Sequence, residues 1–334
     1  MNKINAFAKL IRLPGLGGLA IPPVIGALSV GIFDFYNLAI VFIIGALSAI
    51  YGFILNDYAD IELDKLVKEL HGKPLVNGSI TRMQALSICV FCIFLAFFFI
   101  FYLWYGKVID EYKFMAGICI LLAGFLGSIY NLFGKKIIGS DFLVALSVAF
   151  VFLFGALSFA QPTLFTWIIF ILTFNNLLHM NAVEGGIKDA DHDYLMGVKN
   201  IALSSGVKVT EKSITIPSSF KFFAMGIRFF TAILVFVPVI FFNYSYPIWQ
   251  IILLLAILSG VIILSFKLLS IKEFDRARIR RYIASQSFIR YSLVPVLLVS
   301  FIGIYTSVFL IIFPIIWYVL FAPLLGEKLL RPRM

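Results

Sequence analysis

Read for runs of hydrophobic positions, the chain shows apolar stretches near 14 to 33, 38 to 56, 84 to 105, 114 to 133, 142 to 160, 163 to 181, 222 to 243 and 247 to 266. Each approaches the roughly 20 residues that a helix needs to cross a bilayer's hydrocarbon core. A further run, 291 to 323, is too long for one simple span and tight for two, so the pattern predicts nine spans, or ten. The first run follows Lys3, Lys9 and Arg12 and is interrupted by Pro14, Pro22 and Pro23. It leads on into more spans, so it reads as a first transmembrane helix and not as a cleaved leader. The fold class expected is all-α, a polytopic transmembrane helical bundle.

Composition supports that reading. Of 334 residues, 62% are hydrophobic and only 13% charged, against about a quarter charged in a soluble domain. The mean hydropathy is +1.03. No low-complexity segment and no soluble domain stands out.

Charge then orients the bundle. With the N-terminus in the cytoplasm, inner segments carry Lys3, Lys9 and Arg12, then Lys65, Lys68, Lys73 and Arg82, then Lys135 and Lys136, and later the basic stretches around Lys188 to Lys221 and Lys267 to Arg290. The outer loops between spans hold only Lys107 and Lys113. This is the positive-inside pattern of an integral, multi-pass cell-membrane protein. The net charge of +10 is accounted for by a cytoplasmic face against anionic lipid and implies no nucleic-acid partner. The stretch 271 to 290, with Phe274, Ile279, Ile283 and Phe288 among arginines, reads as an amphipathic interfacial helix or loop, with binding of a substrate phosphate as its alternative role. Cys89, Cys92 and Cys119 fall in apolar spans and read as packing residues.

Acids are scarce, and they cluster. Asp57, Asp60, Glu62, Asp64 and Glu69 sit in the polar interruption 57 to 83; Glu184, Asp189, Asp191, Asp193 and Glu211 sit in 184 to 219. Both interruptions fall on the cytoplasmic side. Each has one plan, an apolar helix, an Asp cluster, then Gly with a basic residue, which suggests two related halves of one domain, 1 to 334, around a shared site.

Helical spacing of three and four places Asp57, Asp60 and Asp64 on one face, with Glu62 turned away. Asp189 and Asp193 share a face in the same way, while Asp191 points elsewhere. At about 6 Å and an effective dielectric near 20, neighbouring carboxylates repel by about 3 kcal/mol, so something positive must sit among them. Carboxylates plus the amide of Asn56 form an oxygen-only donor set suited to a hard cation, and a diphosphate would complete the shell of Mg²⁺. The softer donors that zinc prefers are missing. Asn175 and Asn176 read as interhelical glue. His192, between two acids, reads as a hydrogen-bonded neighbour; His71 and His179 have no partner evident in the sequence.

These residues carry a family resemblance. "NDYADIELD" (56 to 64) resembles the first Asp-rich motif of the UbiA-type intramembrane prenyltransferases, "KPLVNGSIT" the segment next to it in those proteins, and "KDADHDYLMGVKN" their second motif. The resemblance implies a helical bundle with a central lipid-lined cavity that moves a polyprenyl group from its diphosphate to a lipophilic acceptor with Mg²⁺. It implies that Asn56, Asp57, Asp60, Asp64, Asp189 and Asp193 bind metal and diphosphate, and that Lys73, Lys188 and Lys199 serve the phosphates. In "YNLFGKK" it implies that Tyr130 faces a developing carbocation and that Lys135 or Lys136 meets the leaving diphosphate, without choosing between them. Asn200, Lys73 and Asp141 stand where relatives often carry Thr, Arg and Asn.

A transporter is the rival from another class, but it predicts charge in mid-span, where Arg228 is nearly alone. A membrane phosphatase would need a nucleophile or His cluster that the sequence lacks. The acceptor stays open between a quinone precursor and another membrane lipid.

Overall fold

The computed structural model describes residues 3–210 and 212–326; Glu211 lies outside the described residues. Eight helical segments are long and apolar enough to cross a membrane, and a shorter apolar helix of 17 residues joins them. In chain order the main helices are α1 (Lys3–Leu10), α2 (Leu13–Leu19), α3 (Pro22–Ser29), α4 (Phe35–Ala59), α5 (Arg82–Trp104), α6 (Glu111–Phe133), α7 (Asp141–Leu157), α8 (Leu164–Leu178), α9 (Ser218–Phe241), α10 (Ile248–Leu269), α11 (Arg276–Arg290) and α12 (Ile304–Phe321).

Local chemistry sets where these helices begin. Asp34 accepts a hydrogen bond from the Asn37 amide ahead of α4, and Asp110 does the same from Lys113 ahead of α6. Capping boxes, Thr81 with Gln84 and Thr163 with Thr166, open α5 and α8. Each satisfies donors that a helix start leaves unpaired.

Three expectations need correction. The first apolar span was expected at 14 to 33, but it runs as a broken rod from Lys3 to Ser29. Pro14 and Pro22 stand in the first turns of α2 and α3, where a missing N–H costs nothing, so they punctuate the span without ending it. The run 291 to 323 holds one span, Ile304–Leu325, preceded by the short turns Leu293–Leu297 and Val299–Ile302. Gly303, at φ 81°, breaks the path, and the fully buried Gln250 donates to the freed carbonyls of Val296 and Leu297. The stretch 271 to 290 is not a helix lying on the surface: α11 buries Ile279 and Gln286 completely and turns Arg276 and Arg290 inward toward acids.

Close backbone contact binds the first span to α7. A side chain at Gly26 would fall on the Phe152 carbonyl, and one at Gly155 on the Pro23 carbonyl, so only glycine fits at this crossing. Outward, Phe94, Phe101, Phe125, Phe222, Phe266 and Phe309 are exposed. A soluble monomer rarely shows an apolar surface that extensive, whereas a lipid-facing one requires it.

Past Leu178 the α8 helix continues as a wider π-helical stretch, His179–Gly185, before Gly186–Lys188. Extra residues inserted in this way re-aim the chain beyond them, here the second Asp segment. The wide turn buries Glu184 beside Arg228, 2.9 Å away, and Arg290, 2.6 Å away. Arg228 also donates to Ser265 and Gln286, and it meets His179 Nδ1 at 2.9 Å. His179 thus gains the partner that the sequence did not reveal, and the isolated charge of Arg228 becomes part of a paired network joining α9, α10, α11 and the π-helical stretch.

The interruption 184 to 219 is not all loop. A small hairpin, Lys208–Val209 with Ile214–Thr215, is extended by a bridge from Ser213 to Glu273. An apolar cavity of about 360 Å³ opens near the start of α6, the end of α7 and the start of α8, lined by Tyr112, Met115, Cys119, Leu153 and Trp167 among others. It lies at the opposite end of these helices from the Asp segments.

Candidate active site

Helix α4 ends at Ala59 and restarts almost at once as Ile61–Asp64, with the Asp60 amide donating to the Asn56 carbonyl and the Asp64 amide to the Asp60 carbonyl. Because this junction keeps helical spacing, the sequence rule holds across it. Asp57, Asp60 and Asp64 are all buried, and Glu62 is exposed and paired with Lys65 and Arg82. Asn56, half-buried, precedes them on the last turn of α4.

Cations from three other segments answer these carboxylates. Lys73 Nζ lies 2.6 Å from Asp64 and 3.1 Å from Asp57, and Arg12 reaches Asp57 at 3.2 Å. Arg12 stands at the break between α1 and α2 with φ 49°, its guanidinium over the Phe53 ring. Lys135 reaches Asp60 at 3.0 Å from the turn Gly134–Lys136 that ends α6. Its neighbour Lys136 is exposed. The structure therefore separates the two lysines that the sequence left equivalent.

The second segment closes on the same point. Asp193 accepts from Asn200 Nδ2 at 2.7 Å, and Asn200 caps the short helix Ile201–Ser204 with its other amide atom. The Lys199 amide donates to the Lys135 carbonyl at 2.8 Å, while the Lys199 side chain is exposed. Asp189 pairs with Lys188 at 3.3 Å. Asp191 points away, as its spacing predicts, and Arg276 Nη2 holds both its oxygens at 2.6 and 2.7 Å. The same Arg276 donates to Glu69 and meets His192 Nε2 at 3.1 Å, tying both Asp segments to α11.

Asp60 and Asp193 feel each other's charge. Burial raises the Asp193 pKa to about 7, helped by Asp189 and Asp60 and opposed by Lys135. Burial likewise raises that of Asp60, again opposed by Lys135 and helped by Asp64. Burial works to lower the Lys73 pKa, but Asp57 and Asp64 outweigh it and the ammonium is held above its ordinary value. Tyr130, on the last turns of α6, feels the charges of Asp141, Asp60 and Asp193.

The donor set fits Mg²⁺: every available ligand is oxygen, and the charge on Asp60 and Asp193 is only partly balanced by Lys135. Among the described residues no three acid, His or Cys side chains close a metal shell by themselves. That suits an ion which keeps water and takes phosphate oxygens from a substrate.

Arg12, Arg276 and Asn200 are the site residues that sequence reasoning missed. Arg12 read only as topological charge, Arg276 as part of an amphipathic interfacial stretch with phosphate binding as its alternative, and Asn200 only as a departure from the usual Thr.

Comparison with known proteins agrees with this fold. A profile of the UbiA prenyltransferase family matches residues 19–293. The chain is 25% identical over 217 residues to a digeranylgeranylglyceryl phosphate synthase of Saccharolobus solfataricus, covering 61% of this chain and 70% of that one. It is 27% identical over 220 residues to the synthase of the same description from Sulfurisphaera tokodaii, covering 62% and 72%. Among solved structures, one described as a digeranylgeranylglyceryl phosphate synthase in membranes superimposes with a TM-score of 0.64 at 20% identity, covering 90% of this chain and 99% of that one. A UbiA homologue from Archaeoglobus fulgidus, bound to GPP and Mg²⁺, gives 0.61 at 18%, covering 85% and 96%. At these identities the structural likeness is one of fold.

Proposed function

The chain belongs to the UbiA prenyltransferase family, and from that premise we propose that its two Asp segments form one cytoplasmic-side site for a polyprenyl diphosphate with Mg²⁺. From this site the prenyl group passes to a lipophilic acceptor within the bilayer. The observation that carries the reading is Lys135, which pairs with Asp60 of the first segment, acts on Asp193 of the second, and is fixed through its carbonyl by Lys199.

In this reading Asn56, Asp57, Asp60, Asp64, Asp189 and Asp193 hold the metal. The chemistry that bound Mg²⁺ supplies is neutralisation of the diphosphate oxygens. Lys73, Arg12, Lys135 and Lys188, now paired with these carboxylates, turn to phosphate oxygens when substrate arrives. Lys136 and Lys199 serve the surrounding field. With the leaving charge countered, the allylic carbon–oxygen bond breaks and the face of Tyr130 steadies the cation. The apolar bundle takes the isoprenoid tail and keeps water from the cation. The relatives' description, digeranylgeranylglyceryl phosphate synthase, makes a glyceryl phosphate lipid the acceptor class to try first.

The test is diphosphate release from geranylgeranyl diphosphate by the purified protein. Release with Mg²⁺ and none with excess chelator is expected; release that ignores the chelator would defeat the metal assignment.

A further inference from the structure

Asp141 opens α7, five residues beyond the turn that carries Lys135, and nothing in the diphosphate site uses it. Its side chain is buried, with the residue 6% exposed. Its Oδ2 is shut from solvent and accepts no hydrogen bond; among the described residues it is the one buried carboxylate oxygen left in that state. An acid in a helix's first turn is steadied by the helix dipole. That accounts for a solvated acid, whereas an unpaired buried acceptor carries a full desolvation penalty.

The surroundings of Asp141 are fixed. Ser140, also buried, donates to the Gly134 carbonyl at 2.9 Å. Gly134 lies between two side chains: a Cβ there would stand 3.3 Å from both Tyr130 Cδ2 and Ser140 Oγ. Tyr130 and Ser140 thus pack on either side of Gly134, which sets Asp141, the next residue after Ser140, beside the turn that carries Lys135. Another buried acid, Glu184, has both oxygens engaged by Arg228 and Arg290.

We propose that Asp141 is a catalytic residue of the acceptor subsite: its Oδ2 accepts a hydrogen bond from the acceptor's nucleophilic hydroxyl and takes that proton as the new bond forms. The proposal rests on the prenyl-transfer reading above. In the step, the allylic C–O bond breaks and its electron pair leaves on diphosphate. A lone pair of the acceptor oxygen forms the new C–O bond. The O–H pair stays on the ether oxygen, and the proton moves to Asp141, which becomes a neutral acid and returns the proton to water after product leaves. An acceptor without a hydroxyl leaves the orphan oxygen unpaired, so the same contact selects hydroxylated acceptors.

The experiment compares the full-length wild type with D141N and D141E, using geranylgeranyl diphosphate, Mg²⁺ and geranylgeranylglyceryl phosphate as the probe acceptor. Three quantities are read: the Kd for the diphosphate, diphosphate released, and ether product. D141N is expected to bind the diphosphate within about threefold of wild type while forming ether about 100-fold more slowly or worse. Released diphosphate then exceeds product, because water takes the cation. D141E is expected to recover about tenfold over D141N by restoring a carboxylate. Near-wild-type transfer by D141N, or loss of diphosphate binding in both variants, would overturn the assignment, the latter by making the residue structural. Wild-type protein that binds the diphosphate but makes no ether removes the hydroxyl-acceptor premise and the proposal with it. Wild type that does not bind the diphosphate at all overturns the prenyl-transfer reading itself.

Discussion

Replacing Lys135 with Met keeps most of the side chain's bulk and removes its charge. The Lys135 ammonium lies 3.0 Å from Asp60, and the backbone behind it is fixed by the Lys199 amide at 2.8 Å. It pairs with the first acidic segment, and its charge acts on Asp193 of the second. A unit charge about 5 Å from charge developing on a leaving diphosphate is worth about 3 kcal/mol at an effective dielectric near 20. The Lys135 side chain is 30% exposed, and screening brings that down to about 1.5–2 kcal/mol. Such a loss is about 10- to 30-fold in rate. Lys136 shares the turn but is exposed, so Lys136→Met should cost about twofold or less. Single-turnover diphosphate release, monitored with saturating geranylgeranyl diphosphate and Mg²⁺, reads both variants. Equal losses, or a larger loss in Lys136→Met, would refute the placement of Lys135 between the two segments.

Asp189→Asn and Asp193→Asn should reduce turnover far more than Asp191→Asn, because Arg276 already engages both oxygens of Asp191; steady-state rates that fall alike for all three would contradict this. Glu184→Gln leaves Arg228 and Arg290 buried without their anion, a change worth about 3–5 kcal/mol. The thermal midpoint in detergent should drop by several degrees, whereas that of the exposed Glu62→Gln should hold. Cysteines placed at 68 and 208, in a background lacking Cys89, Cys92 and Cys119, should both be labelled from the cytoplasmic face, and labelling from opposite faces would separate the acidic segments.

The features legible in the sequence are those set by local interactions. Helical spacing alone put Asp57, Asp60 and Asp64 on one buried face and turned Glu62 and Asp191 away, since neither depends on distant packing. The apolar runs located most helices for the same reason. The sequence misled where proline was read as a break, since Pro14 and Pro22 sit in first turns that tolerate them. It was silent on partners far along the chain. Arg12 meets Asp57 across 45 positions, and Arg276 meets Glu69 across 207. The choice of Lys135 over Lys136 depends on how a three-residue turn is rotated, which no periodicity encodes. Arg276 and Arg290 resembled surface charge because the acids that draw them inward lie on other helices.

That the two Asp segments make a single diphosphate site is tested most directly by a double-mutant cycle on binding. Equilibrium affinity for a non-hydrolysable geranylgeranyl thiodiphosphate would be measured with Mg²⁺ for the wild type, Asp60→Asn, Asp193→Asn and the pair. Each single change should weaken binding by about tenfold or more, and the double change should cost clearly less than the sum of the two, with a coupling of about 1 kcal/mol or greater. Losses that simply add would mean that the two carboxylates act on separate sites, and would contradict the account.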